Sequence, residues 1–399
     1  MVGLNAMPSA HLDTAKTTGS ILIASMMVGL VWANSPWREM YQSIHHLPVH
    51  IRFGPFGLDR PLVWWINEGL MVPFFLLVGL EIKREVLSGR LSSWRLVTVP
   101  AVAALAGMIF PAAIYLVVAG ADPVQRAGWA IPTATDIVLV LGLLAFLGDR
   151  VSITVKVFLT ALAMFDDIGA VLIIGLFYGH GFSFPPLAVA ITALILAHVV
   201  ARFWRFSWTV LALLGVVLWG AILEAGIEGA IAGVLIGILI PFERERPDNT
   251  RSLNRVQSGL RPWVFWAVIP VFALFNTGID ITALRIVDIL DPVAVGVFVA
   301  LVVGKPAGIL GSLWILDRLG MPVRQEGLGW GQLVGTSMLA GVGFTMSIFI
   351  ASIAFIDHHL VTTSKLSILA ASLVSALLGF AVLRKSAELT RSRSPGEPR

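Results

Sequence analysis

A chain of 399 residues that is 57% hydrophobic and only 13% charged carries about half the charge usual for a soluble domain, ~25%. That much apolar surface needs lipid as its solvent, and a soluble globular protein is excluded. The net charge of +4 does not point to nucleic acid, because the basic residues sit in short loops between apolar runs. The absence of cysteine excludes disulfides, thiolate metal sites and thiol redox chemistry.

The stretch to Lys16 is short and polar. The first apolar run, Gly19 to Ala33, is followed by no small-residue cleavage motif, so it reads as a membrane span near Thr17–Asn34 rather than a signal peptide. Between Ser35 and Pro61, Val49, Ile51 and Phe53 alternate with His50 and Arg52, and Gly54-Pro55 and Gly57 supply turn chemistry. This pattern predicts a small exterior β-hairpin over residues 47–61, an edge suited to pairing with a second subunit.

Further spans are expected near Leu62–Glu85, Val97–Val118, Arg126–Leu147, Ile153–Tyr178 and Pro186–Arg202. Shorter ones follow near Ser207–Leu223 and Ile227–Ile240, then Leu260–Thr277, Pro292–Leu316, Trp330–Phe355 and Thr363–Leu383. The fold class is therefore an all-α polytopic membrane protein of about twelve helices, one transporter domain over residues 1–385. Residues 386–399, rich in Ser, Pro and Arg towards the end, read as a disordered tail. The N-terminus, the even-to-odd loops and the C-terminus hold 21 of the 28 Lys and Arg, against 6 in the opposite loops. That asymmetry places both termini in the cytoplasm.

Two spans are interrupted. In the fourth, Ala130-Ile131-Pro132-Thr133-Ala134-Thr135-Asp136 sets a proline, two threonines and an acid at mid-depth, and a proline in a helix interior costs ~3 kcal/mol. In the eleventh, Gly341 and Gly343 loosen the helix. Each break frees backbone groups that a membrane tolerates only beside a cavity or inside protein. Spans three to five and ten to twelve each carry the break in the middle, the pattern of an inverted repeat with two crossed, broken helices. Half-helix ends meeting there would want an anion between N-termini and a cation between C-termini, about half a charge each. Asp136 and Lys305 are the candidates.

Asp166 and Asp167 are the only charges between Val157 and Tyr178. An intramembrane acid costs on the order of 2.5–3.5 kcal/mol to insert and marks an ion pathway by default. Adjacent carboxylates in a low dielectric cannot both ionise cheaply, so protons or a small hard cation fill the pair, with Thr135 as a further oxygen ligand. Cation and protons then exclude one another, and a site that turns over only when filled exchanges them. The alternatives are a cation channel and a proton-coupled symporter of a small solute. A channel would favour repeated acid rings, and a symporter would want an aromatic-lined polar pocket, whereas tyrosines number only 3. No nucleophile–base constellation or phosphate loop is present, so an enzyme is not expected and no cofactor is implied.

The segments Leu77-Val78-Gly79-Leu80-Glu81-Ile82-Lys83-Arg84-Glu85, Gly128-Trp129-Ala130-Ile131-Pro132-Thr133-Ala134-Thr135-Asp136, Phe165-Asp166-Asp167-Ile168-Gly169, Gly304-Lys305-Pro306 and Gly343-Phe344-Thr345-Met346-Ser347-Ile348-Phe349-Ile350, in this order, resemble the NhaA-type Na+/H+ antiporters over nearly the whole chain. The resemblance implies a bacterial inner-membrane protein serving pH and sodium homeostasis, with electrogenic exchange of two protons in for one Na+ or Li+ out. It makes Asp166 and Asp167 the cation- and proton-binding pair, adds Thr135 and Asp136 of the broken helix as further cation- or proton-binding residues, and makes Lys305 a charge compensator or proton carrier. It assigns Glu81, Arg84 and Glu85 to the pH response, and the hairpin to a homodimer contact. Two positions depart from the pattern. Gln257 stands where better-known members carry Glu, and Glu228 where they carry His; both positions are tied to pH sensing in the family.

Overall fold

A computed structural model of the protein describes residues 9–53, 56–88, 94–148, 151–179, 181, 183–203, 208–240, 250–281, 290–323 and 328–392. Among them, ten helices are long and apolar enough to cross a membrane, and two shorter apolar helices, Thr209–Glu224 and Ala230–Leu239, bring the apolar elements to twelve.

The first helix, α1 (Ser9–Ala33), begins earlier than its apolar run, because the polar residues before it are compatible with helix. The segment after α1 forms a short helix that the sequence pattern does not announce, α2 (Arg38–His45), followed by the hairpin of β1 (Pro48–Phe53) and β2 (Phe56–Pro61). Tyr41 explains α2. Its ring is buried and its hydroxyl lies 3.0 Å and 2.9 Å from the carbonyls of Leu274 and Phe275, anchoring an otherwise polar helix. Burial raises the Tyr41 phenol above its ordinary range. In the hairpin, His50 faces Asp59 and Arg52 faces Gly57. Asp59 accepts from both His50 and Arg52 at 2.8 Å, cross-strand pairing that fixes the register. The Gly54-Pro55 turn lies outside the described residues.

The remaining helices are α3 (Met71–Ser88), α4 (Trp94–Val118), α5 (Pro123–Arg126), α6 (Ile137–Leu147), α7 (Ile153–Phe177), α8 (Phe184–Phe203), α9 (Trp208–Glu224), α10 (Ala230–Leu239), α11 (Thr250–Trp263), α12 (Ile269–Asn276), α13 (Pro292–Val299), α14 (Lys305–Arg318), α15 (Trp330–Ala340), α16 (Phe344–Ala354) and α17 (His358–Ser392). Among the described residues, three spans contain a widened, π-helical turn: Trp65–Leu70, Val264–Val268 and Ala300–Gly304. Such a turn adds a residue to the helix circumference and re-aims the side chains of the next turn. The last helix runs through Ser392, so residues 386–392 are helical where a disordered tail was expected. Leu, Ala, Glu and Arg favour helix there, and Arg384 pairs with Glu388 one turn on at 3.5 Å. Residues 393–399 lie outside the described set.

The chain divides into two compact units. Unit 1 comprises Met1–Ala24, Trp94–Ala170 and Ile281–Arg399; unit 2 comprises Ser25–Ser93 and Val171–Asp280. In unit 2 an apolar core gathers Leu80, Leu218, Ile222 and Ile236, and Gly233 and Gly237 let α10 lie against the backbone of α3. A Cβ at Gly237 would come within 2.6 Å of the Leu76 carbonyl. In unit 1 both broken spans are present. The fourth runs as α5, a 3-10 segment over Ala127–Thr133, an extended link, and α6. The eleventh breaks at residues 341–343, between α15 and α16.

Candidate functional site

The two breaks of unit 1 meet backbone to backbone. Asp136 donates its N–H to the Val342 carbonyl at 2.8 Å, joining the extended link of one broken span to the break of the other. Pro132 cannot donate and the glycines have no side chain, so each break opens where the other can approach. A Cβ at Gly341 would lie 2.5 Å from the Leu301 carbonyl and 2.7 Å from Ser375 Oγ. Only glycine fits there.

Asp136 caps α6: its Oδ1 accepts from the Leu139 N–H at 3.0 Å. Its Oδ2 accepts from the N–H of Thr345 at 3.0 Å and from the Thr345 hydroxyl at 2.6 Å, in the first turn of α16. One carboxylate thus sits between two helix N-termini, whose partial positive charges favour it. Thr345 was not singled out from the sequence, although a threonine two residues past a helix break was the available signal.

Lys305 opens α14 and is fully buried. Its Nζ lies 2.9 Å from Asp166 Oδ2 and donates to the Thr133 carbonyl at 2.6 Å, at the C-terminal end of the 3-10 segment. The ammonium therefore answers both a carboxylate and the negative end of a half-helix. Asp167 is adjacent on α7, 7% exposed, and its charge also acts on Lys305. Thr135 Oγ1 stands 2.6 Å from Asp166 Oδ2 and 2.9 Å from the Ala340 carbonyl. A hydroxyl has one hydrogen to give, so it serves Asp166 or Ala340 according to whether Asp166 carries a proton of its own. Asp166 Oδ1 is buried and, among the described residues, accepts from no donor. Carboxylate, hydroxyl and carbonyl oxygens thus converge on a place from which water is largely shut out, a donor set suited to a small hard cation.

The structure brings Asp136, Thr135, Asp166, Asp167 and Lys305 together in unit 1, with Thr133, Ala340 and Thr345 added. Glu81, Arg84 and Glu85 belong to unit 2 and form their own group on α3. There Gln257, from α11, accepts from Arg84 at 3.2 Å and hydrogen-bonds Glu81, while the charges of Arg261 and Glu85 also act on Glu81. A neutral amide can accept from the guanidinium and donate to the carboxylate at once.

The family model described as Na+/H+ antiporter 1 matches residues 9–383. The chain belongs to that family. Among curated relatives, the Na(+)/H(+) antiporter NhaA of Rhodospirillum rubrum is 42% identical, covering 94% of this chain and 96% of its own. The NhaA of Maricaulis maris is 43% identical, covering 96% of this chain and 94% of its own. A solved structure, the sodium proton antiporter MjNhaP1 from Methanocaldococcus jannaschii at pH 8, aligns with a TM-score of 0.55 at 17% identity. That alignment covers 96% of this chain and 98% of the other, and it speaks for the fold alone. Membership of the Na+/H+ antiporter 1 family makes this a multi-pass membrane transporter, with Na+ and H+ as the family's substrates.

Proposed function

We propose that the chain exports Na+ or Li+ in exchange for protons, electrogenically, by alternating access at Asp166 and Asp167. The observation that carries this reading is the fully buried Asp166–Lys305 ion pair beside Asp167, at the crossing of two broken helices. A buried pair is held by balanced charge, and removing the partner of either member is costly. An entering cation takes over the role of the ammonium toward Asp166, and the freed Lys305 and the carboxyls together account for the protons given up. Protons returning from the other side displace the cation by the same competition. Asp136 holds the two half-helix N-termini together beside the pair.

The positive-inside distribution of Lys and Arg supports a bacterial inner-membrane location with both termini cytoplasmic. Activity is regulated by pH through Glu81, Arg84 and Glu85, and the hairpin joins two copies into a homodimer in membrane lipid. The test is reconstitution in vesicles containing a pH-sensitive dye, with Na+, Li+ or K+ added in turn. Na+ and Li+ should each move protons and K+ should not. Asp166→Asn and Asp167→Asn should each abolish the signal while leaving protein in the membrane. Near-normal exchange in either variant overturns the shared-site reading.

A further inference from the structure

Unit 2 contains a pair of acids that the exchange mechanism does not use. Glu68 lies in the π-helical turn Trp65–Leu70, and Glu228 in the link before α10, whose N-cap is Gly229. The Gly229 N–H donates to Glu68 Oε2 at 3.4 Å, which sets the Glu68 carboxyl against the peptide next to Glu228. The two carboxyl groups therefore lie within hydrogen-bonding reach of each other. Ionised carboxylates are acceptors only, so two carboxyl groups at that range can bond only through a proton.

The surroundings, among the described residues, supply no counter-charge for the pair. Among the described residues, no charged side chain besides its partner acts on either glutamate. Trp219 comes from α9, and it is Trp65 and Trp219 whose rings pack together at 5.9 Å. Asn276 of α12 donates to Asn67, the neighbour of Glu68, at 2.8 Å. Glu224, at the end of α9, is exposed. Glu228 is 9% exposed; among the described residues its buried Oε1 has no donor, and the buried indole N–H groups of Trp65 and Trp219 have no acceptor. Trp219 Nε1 and Glu68 Oε2 border the same point, 2.6 Å and 3.0 Å from where a Cβ on Gly229 would lie.

We propose that Glu68 and Glu228 form a second proton-binding site, holding one proton between them, with Glu68 the ionised acceptor and Glu228 the donor. The order follows from the backbone. The Gly229 N–H and the positive end of α10 favour negative charge on Glu68, leaving the proton on Glu228. Raising the pH removes that proton and leaves two carboxylates in contact, buried without a counter-charge. The site therefore costs the protein stability in alkali, and this holds whether or not Asp166 and Asp167 carry the exchanged ions.

The test is infrared difference spectroscopy on the purified full chain, read as the carbonyl stretch of a protonated carboxyl, with thermal unfolding against pH beside it. Wild type should show one such band more than Glu228→Gln at neutral pH, lost on alkalinisation. Glu68→Gln should lose the same band, because an amide at 68 can donate to an ionised Glu228. Both variants should also lose the alkaline fall in melting temperature that the pair imposes on wild type. Spectra of wild type and both variants that superimpose at neutral pH overturn the proposal. So does erasure by Na+ at constant pH of the one band that Glu228→Gln lacks, which would make the pair a cation site instead.

Discussion

At the scale of single residues, Lys305 shows how a buried charge is made tolerable. An ammonium with no solvent exposure would be prohibitively costly alone, yet it has a carboxylate at 2.9 Å and a helix-end carbonyl at 2.6 Å. The pair is retained at a place where two apolar residues would pack as well or better, which is why we read it as functional rather than structural. A double-mutant cycle tests the coupling. Lys305→Ala strands Asp166 and should destabilise by about 3–5 kcal/mol at neutral pH, read as a large fall in melting temperature. Adding Asp166→Asn removes the stranded charge, so the double variant should melt above Lys305→Ala. Additive losses would show that the two groups do not depend on each other. The Asp166-Asp167 doublet and Lys305 were legible in the sequence because each breaks a long apolar run. That Lys305 chooses Asp166, and that Thr345 joins Asp136, was not, since both depend on which helices pack together.

At the scale of elements, the two breaks were legible from Pro132 and from Gly341 and Gly343, and the hairpin from its period-two alternation. The π-helical turns were not, because a single widened turn leaves no periodic trace in an apolar run, and α2 was hidden because one buried tyrosine holds it. Gly341→Ala should force α15 from Leu301, and we expect reduced stability and at least a tenfold loss of exchange, with a glycine-sized site as the reason. Normal activity in that variant would mean that the crossing is loose enough to adjust. The hairpin makes a different prediction. Asp59 is held below the usual carboxylate range, first by the Arg52 hydrogen bond and then by that of His50. A folded value below the unfolded one stabilises above the ordinary carboxylate range, and that contribution is lost as pH falls through the folded value. A dimer joined here should therefore persist across the neutral range and weaken only in acid. Deleting Val49–Asp59 should shift dimer toward monomer in mild detergent without abolishing transport. A deletion variant that stays fully dimeric would place the contact elsewhere.

At the scale of the whole molecule, the exchange reading makes a prediction about charge that no single contact contains. Lys305 and the two aspartates can carry two protons in one direction, while the same pair is filled by one monovalent cation in the other. A net positive charge then moves inward in each cycle, and the membrane potential becomes part of the driving force. One elementary charge crossing 100 mV is worth about 2.3 kcal/mol, which at about 1.4 kcal/mol per decade supports a roughly 50-fold steeper Na+ gradient. In vesicles clamped with potassium and valinomycin, an inside-negative potential should accelerate Na+ export and proton entry. The Na+ gradient at which net flux stops should move by about that 50-fold for each 100 mV. A smaller but non-zero shift would point to leak or slippage in the cycle. A null point that stays fixed while the potential is varied would make the exchange one-for-one, and would mean that Lys305 or one aspartate keeps its proton throughout.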